Sequence, residues 1–443
     1  MNKRIKKIII ALALCSGLFA SVAPKIIGIA IQQAFNADLL NEIAKQTNNR
    51  INITLSQINS SWFQTFISLN IEYRAPTANE SISAIADLNI DHGLFILEAK
   101  QPKFGVASAE IKIKTDDSEK LAKIFNQMKL ELPTLTSNVF IGVNQRLEIA
   151  IEIPPLSAEN KVFKTNSQGL IVEILFEKDR SVNAKLFSRQ IDAQDLIRNS
   201  EVNVSGLQIT VASEDLNRVE APSGFSLVIP SIAIMGSTQF SARGVSAVLE
   251  INDSDAHDKS VNISQNISVI NIQSGFPITS LSWASEIKEV RHEIFEKYNQ
   301  ILSTIRSQAR GDPLTAVAEA SQIGEEIGLL SIQNKLELNN HITANIYDDE
   351  NTVDLKFKFK GLPHLTNLDK LDTNELINHL VASLDISLGA NAVKNSGFTS
   401  LIEQYIELGY IIDNGERLNL NGKIQDSELH LNNTTISLEE FFE

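Results

Sequence analysis

The chain has 443 residues, 43% hydrophobic and 21% charged, which is enough apolar material for a sizeable core. A formal net charge of −15 excludes the basic stripe that nucleic acid requires and disfavours broad adhesion to anionic head groups. One cysteine, Cys15, and seven scattered histidines without an HExxH exclude a disulfide framework and a zinc motif, so no cofactor or metal is expected.

Lys3, Arg4, Lys6 and Lys7 precede Ile8–Ala23, sixteen residues without a charge, and the apolar run resumes over Ile26–Ile31. A basic region followed by an apolar one is the order of a secretory signal. Pro24 after Ser21-Val22-Ala23 hinders cleavage, and Leu14 directly before Cys15 does not suit lipoprotein processing. As one helix, residues 8–31 reach about 36 Å, enough for roughly 30 Å of hydrocarbon. The expectation is an uncleaved N-terminal transmembrane helix within residues 1–31, its basic end cytoplasmic and residues 32–443 across the membrane. A cleaved signal is the second reading.

Downstream, period-two alternation dominates. Ile51–Leu55, Ile85–Ile90, Ala109–Lys114 and Leu147–Ile153 each alternate, the last ending at Pro154-Pro155. Ser118–Lys129 carries Leu121, Ile124, Phe125 and Met128 at helical spacing. Gly169, Gly206 and Gly244 each precede an alternating run, 37 and 38 residues apart, and suit bends or bulges at strand starts. Ala284–Arg310 and Leu314–Leu330 read as a helical hairpin around Gly311-Asp312-Pro313. Strands are expected at Lys335–Tyr347 and Thr352–Lys360, joined by a turn at Asp348-Asp349-Glu350-Asn351. A short helix near Asn374–Val381, a strand at Leu384–Leu388 and a helix over Phe398–Leu408 capped by Gly409 follow, then three short strands up to Asn432. The fold expected is α+β, predominantly β. It is a long, curved antiparallel meander in one elongated domain, with a helical insertion at about 284–330 and a strand–helix–hairpin region at 335–443.

Three stretches carry a resemblance: Ser61-Trp62-Phe63-Gln64-Thr65-Phe66-Ile67-Ser68, Asp91-His92-Gly93-Leu94-Phe95, and Gly409-Tyr410 through Asn432. Together they resemble the YdgA-like family of bacterial envelope proteins, catalogued as domain of unknown function 945. The resemblance implies an inner-membrane-anchored periplasmic protein and supplies no catalytic residues.

Asp91-His92-Gly93 is the one stretch that invites a chemical reading. Asp91 orienting His92 as a general base would make a periplasmic hydrolase, but no nucleophile motif accompanies them and neighbours on a strand face opposite ways. The structural reading is a turn with Gly93 at positive φ and His92 projecting without a partner. Asp253-Ser254-Asp255 and Asp348-Asp349-Glu350 lack the spaced ligand set of a calcium loop. Two function classes remain: a non-enzymatic scaffold or lipid-handling envelope protein, or a hydrolase centred on His92. The expected partners are the inner membrane through residues 8–31, a lipid or an envelope protein, or a second copy in a homodimer.

Overall fold

The computed structural model describes residues 23–437 except 48–49, 75–80, 99–100, 116–133, 217, 219, 237–238, 255–259, 275–277, 309–312, 398 and 426. The expected helix at Ser118–Lys129, Asp255, and the anchor up to residue 22 with Cys15 lie outside the described residues. By its internal contacts the chain divides into two units, residues 1–203 and 204–443.

The first unit opens with helix α1, residues 23–34, and helix α2, Ala37–Gln46. Strands β1 (Ile51–Ser60), β2 (Gln64–Arg74), β3 (Ser81–His92), β4 (Phe95–Glu98), β5 (Gln101–Thr115), β6 (Leu135–Gly142) and β7 (Leu147–Ile153) follow. β1, β2, β3, β5, β6 and β7 pair in that order, every pair antiparallel. β4 resumes after β3 and pairs with the start of β5. Pro154-Pro155 stops β7, and the chain detours through the hairpin β8 (Leu156–Glu159) and β9 (Phe163–Ser167). β10 (Leu170–Phe176) then returns beside β7, and β11 (Val182–Asp195) pairs with both β10 and β9. The meander is therefore interrupted where two prolines remove consecutive ladder donors. Alternate residues Ile67, Leu69, Ala86, Leu88, Ile90 and Ala107 form the core, with Ile31 and Phe35 packed on it from the α1 side. This is the burial that period-two alternation dictates.

β12 (Ser200–Ser213) begins in the first unit and runs into the second, where β13 (Ser223–Met235), β14 (Phe240–Asp253), β15 (Ser260–Ser274) and β16 (Ile278–Arg291) lead into a helical hairpin. Its helices are α3 (His292–Gln308) and α4 (Pro313–Gln333), which pack on each other and are joined by Lys297 and Glu326. β17 (Leu336–Ile346), β18 (Asp349–Phe359), α5 (Thr373–Asn378), β19 (Leu380–Gly389), α6 (Ala390–Asn395), α7 (Thr399–Glu407), β20 (Ile412–Asp413), β21 (Arg417–Gln425), β22 (Glu428–Leu431) and β23 (Thr434–Ser437) complete it. From β13 to β19 each strand pairs antiparallel with the next, and β21 adds to β19. The helical hairpin joins two neighbouring strands, β16 and β17.

The antiparallel, predominantly β architecture is as expected, and three local readings are corrected. The helix expected from Ala284 begins at His292, because β16 runs on to Arg291. Glu289 has φ 61° and the register slips there, with Ile287 opposite Ile263 but Val290 opposite Val261. That bulge puts two inward residues three apart, the spacing of a helix face. The turn after β17 is Tyr347-Asp348, both at positive φ, with Ile346 opposite Asp349, and so is tighter than the expected 348–351. Gly169, Gly206 and Gly244 all have positive φ, but only Gly169 stands at a strand start. Gly244 lies within β14, unpaired in both registers, where a Cβ would come within 2.6 Å of Ile270.

Gly409 ends α7 as expected. Its N–H donates to the Ile406 carbonyl and that of Tyr410 to the Tyr405 carbonyl, with the two tyrosine rings 6.3 Å apart. This is a Schellman cap with its accompanying side-chain contact, so Gly409 and Tyr410 terminate a helix.

The register sorts the second sheet into two unlike faces. One row crosses eight strands as Leu227, Ala247, Ile267, Trp283, Ile342, Val353, Ile386 and Leu420. None of these eight is buried. The opposite face carries Ser246, Ser268, Ser282, Thr343, Thr352, Ser387 and Asn419 in one row.

Candidate functional site

β3 pairs with β2 up to Asp91 opposite Gln64, and the strand then bends at Gly93-Leu94 before β4 resumes. Gly93 has φ 143°, so the expected positive φ is present, and a Cβ there would stand 3.1 Å from Pro24 Cγ. The bend holds because the Gly93 N–H donates to the Val106 carbonyl and the His92 N–H to the Phe63 carbonyl.

His92 does not project from a turn; it is 2% exposed. β3 remains paired through His92, opposite Ala107 of β5, so the ring follows strand parity inward, beside α1. A Cβ on Gly28 of α1 would lie 2.6 Å from His92 Cε1, so the glycine lets the helix backbone close over the ring. His92 Nε2 is 3.1 Å from Thr65 Oγ1, and the Thr65 hydroxyl donates to Ser60 Oγ at 3.0 Å. With the Thr65 proton committed to Ser60, Nε2 carries the hydrogen and donates. That polarity is the reverse of a general base acting on Thr65. Asp91 faces away and accepts from Gln64 Nε2 at 2.8 Å.

Burial lowers the His92 pKa from its ordinary 6.5; the backbone of Pro24 and Gln64 and the charge of Asp91 pull it upward, and Lys25 adds to the lowering. A depressed histidine pKa means that the unfolded chain binds the proton more readily. The stabilisation is full above about pH 6.5 and is lost as pH falls through the lower folded value. Amide exchange in residues 23–34, corrected for intrinsic rates, is expected to be faster at about pH 5.5 than at about pH 7.5. His92→Gln should abolish the difference; equal protection of the unsubstituted protein at both pH values would contradict the assignment.

An open cavity of about 580 Å³ lies beside this motif, lined by Ser61, Trp62, Phe63, Gln64, Asp91, His92, Phe95 and Ile96. Trp62, Phe63 and Phe95 are exposed there, and the Phe95 ring stacks at a tilt on Phe104, centroids 4.5 Å apart.

A second polar constellation was not visible in the sequence. On the polar face of the second unit, His341 Nδ1 is 2.7 Å from Asp354 and Nε2 is 3.0 Å from Thr343 Oγ1. It borders a cavity of about 540 Å³ lined mainly by polar-face residues, among them Glu250, Asn266, Glu286 and Lys356. The order hydroxyl–imidazole–carboxylate is that of an activated nucleophile. The strands on both sides spend their amides on the ladder, however, leaving no backbone N–H as an oxyanion donor beside Thr343. A line of polar side chains on a wet sheet face accounts for it. The tight turn at Tyr347-Asp348 is the signal that would have set His341 opposite Asp354.

Among the described residues no group of three or more His, Cys, Asp or Glu could hold a metal ion, and no helix is long and apolar enough to cross a membrane. The family model described as a bacterial protein of unknown function (DUF945) matches residues 1–439. Comparison with the curated proteins and with the solved structures gave no match.

Proposed function

Since the chain belongs to the DUF945 family, whose description assigns no activity, we propose from its own surfaces that it is a non-enzymatic, inner-membrane-anchored periplasmic protein that handles lipid. The observation that carries this reading is the apolar row from Leu227 to Leu420, eight strands wide with no member buried. Seven steps between strands make a strip about 34 Å long. Monomeric soluble proteins rarely leave so continuous an apolar surface open. Acyl chains are its occupant in this reading: the anchor holds the chain at a bilayer, and a net charge of −15 disfavours capture through anionic head groups.

Native mass spectrometry of the full chain, released from membranes in mild detergent, tests the reading. Lipid-mass adducts are expected on the unsubstituted protein and should be lost on Ile267→Asp with Ile342→Asp, both half-buried positions whose far-UV circular dichroism should not change. Absence of adducts, or equal adducts on the variant, would overturn lipid handling. A dimer that the same variant dissociates would give the strip to a second copy instead.

A hydrolase centred on His92 is the second reading, favoured by the cavity and the Thr65 hydroxyl at 3.1 Å. Against it, Thr65 is 1% exposed, its proton goes to Ser60, and Asp91 is bonded to Gln64.

A further inference from the structure

We propose that Trp62, Phe63, Phe95 and Phe104 form an interfacial patch that enters the head-group and upper acyl region of the bilayer anchoring this chain; the proposal rests on the anchored reading above. The four side chains are 49%, 56%, 64% and 65% exposed. They include the three most exposed phenylalanines among the described residues, gathered at one end of the first sheet where β1 turns into β2 and β4 pairs with β5.

The path of the chain identifies the partner. Pro24 rests against Gly93, two residues before Phe95, so the polypeptide enters the folded unit beside the patch. Pro24 and Gly28 are buried and Ile31 packs on the core, so these residues are committed to the protein and not to hydrocarbon. Ala23 is buried as well, so the apolar run that remains is Ile8–Val22, and fifteen residues, as a helix, would reach about 22 Å against roughly 30 Å of hydrocarbon. A span that short draws the folded unit flush against the bilayer, and the side chains next to Ala23 must then suit the interface. Tryptophan and phenylalanine do, burying an apolar ring at the depth where membrane proteins carry aromatic belts. Lys25 follows Pro24 and offers a cation to lipid phosphates, whereas the Lys103 ammonium is paired with Glu148 at 3.3 Å.

The chain has two tryptophans, so Trp283→Phe leaves Trp62 as a single reporter in the full-length protein. The probe is a phosphatidylcholine vesicle brominated near the head-group end of its acyl chains, with the protein reconstituted and washed in alkaline carbonate. Loss of most Trp62 emission relative to unbrominated vesicles is expected, with weaker quenching by lipid brominated near the chain terminus. Phe95→Ser with Phe104→Ser should reduce the quenching while the protein stays in the membrane fraction. Protein retained after carbonate but with unquenched Trp62 overturns the patch alone. Protein released by carbonate overturns the anchored reading and the patch with it.

Discussion

Ile67→Ala is expected to lower the stability of the first unit by about 2–5 kcal/mol, the range for emptying a fully buried aliphatic site. Ile67 is 0% exposed at the centre of β2, opposite Leu88 of β3, and contributes to the cluster on which Ile31 and Phe35 pack. Paired antiparallel strands on both sides restrict collapse of the cavity, which places the cost in the upper part of that range. Leu55→Ala on β1 is the matched control, because Leu55 is 38% exposed and its loss should stay within about 0.5 kcal/mol. Hydrogen exchange across Gln64–Arg74 under native conditions reads the local free energy directly. Equal protection in the two variants would remove Ile67 from the core assignment.

Gly93→Val should cost about 1–3 kcal/mol from backbone strain alone, because a β-branched residue at φ 143° has no comfortable rotamer or backbone well. A further penalty arises because the new Cβ meets Pro24 of α1 at 3.1 Å. The bend and the helix should therefore be lost together. Gly224→Ala, where no atom lies within 4 Å of the added carbon, should be close to neutral. Thermal unfolding with exchange protection of residues 23–34 distinguishes the cases. A Gly93→Val protein that melts as the unsubstituted one and keeps α1 protected would refute the role given to Gly93.

Much of the strand content was legible because alternation survives wherever one sheet face is dry. Leu147–Ile153 is the clean case, strand and proline stop together. The pattern misled at Ile287 and Val290, where a bulge at Glu289 imitates helical spacing, since period alone does not separate a slipped strand from a helix turn. It was silent on the hairpin Leu156–Glu159 with Phe163–Ser167, too short to display a period. The Asp91-His92-Gly93 motif was found, and its glycine was read correctly, but His92 was given the wrong environment. Its burial depends on Gly28, some sixty residues away in a segment that reads as membrane helix, and local pattern carries no information about that contact. The unlike faces of the second sheet needed the register, because each strand alone shows only that its sides differ.

The helical hairpin between β16 and β17 also bears on how the second unit assembles. Every other neighbouring pair from β13 to β18 is joined by a short connection, as at Tyr347-Asp348, so those contacts can form early at low entropic cost. Between Arg291 and Leu336 lie 44 residues. Closing a flexible loop of that length instead of a two-residue turn costs about 3 kcal/mol more. The strands β13–β16 and the hairpin β17–β18 are therefore two locally nucleating parts, whose rate of joining is set by how early α3 and α4 pair and bring the ends of the seam together.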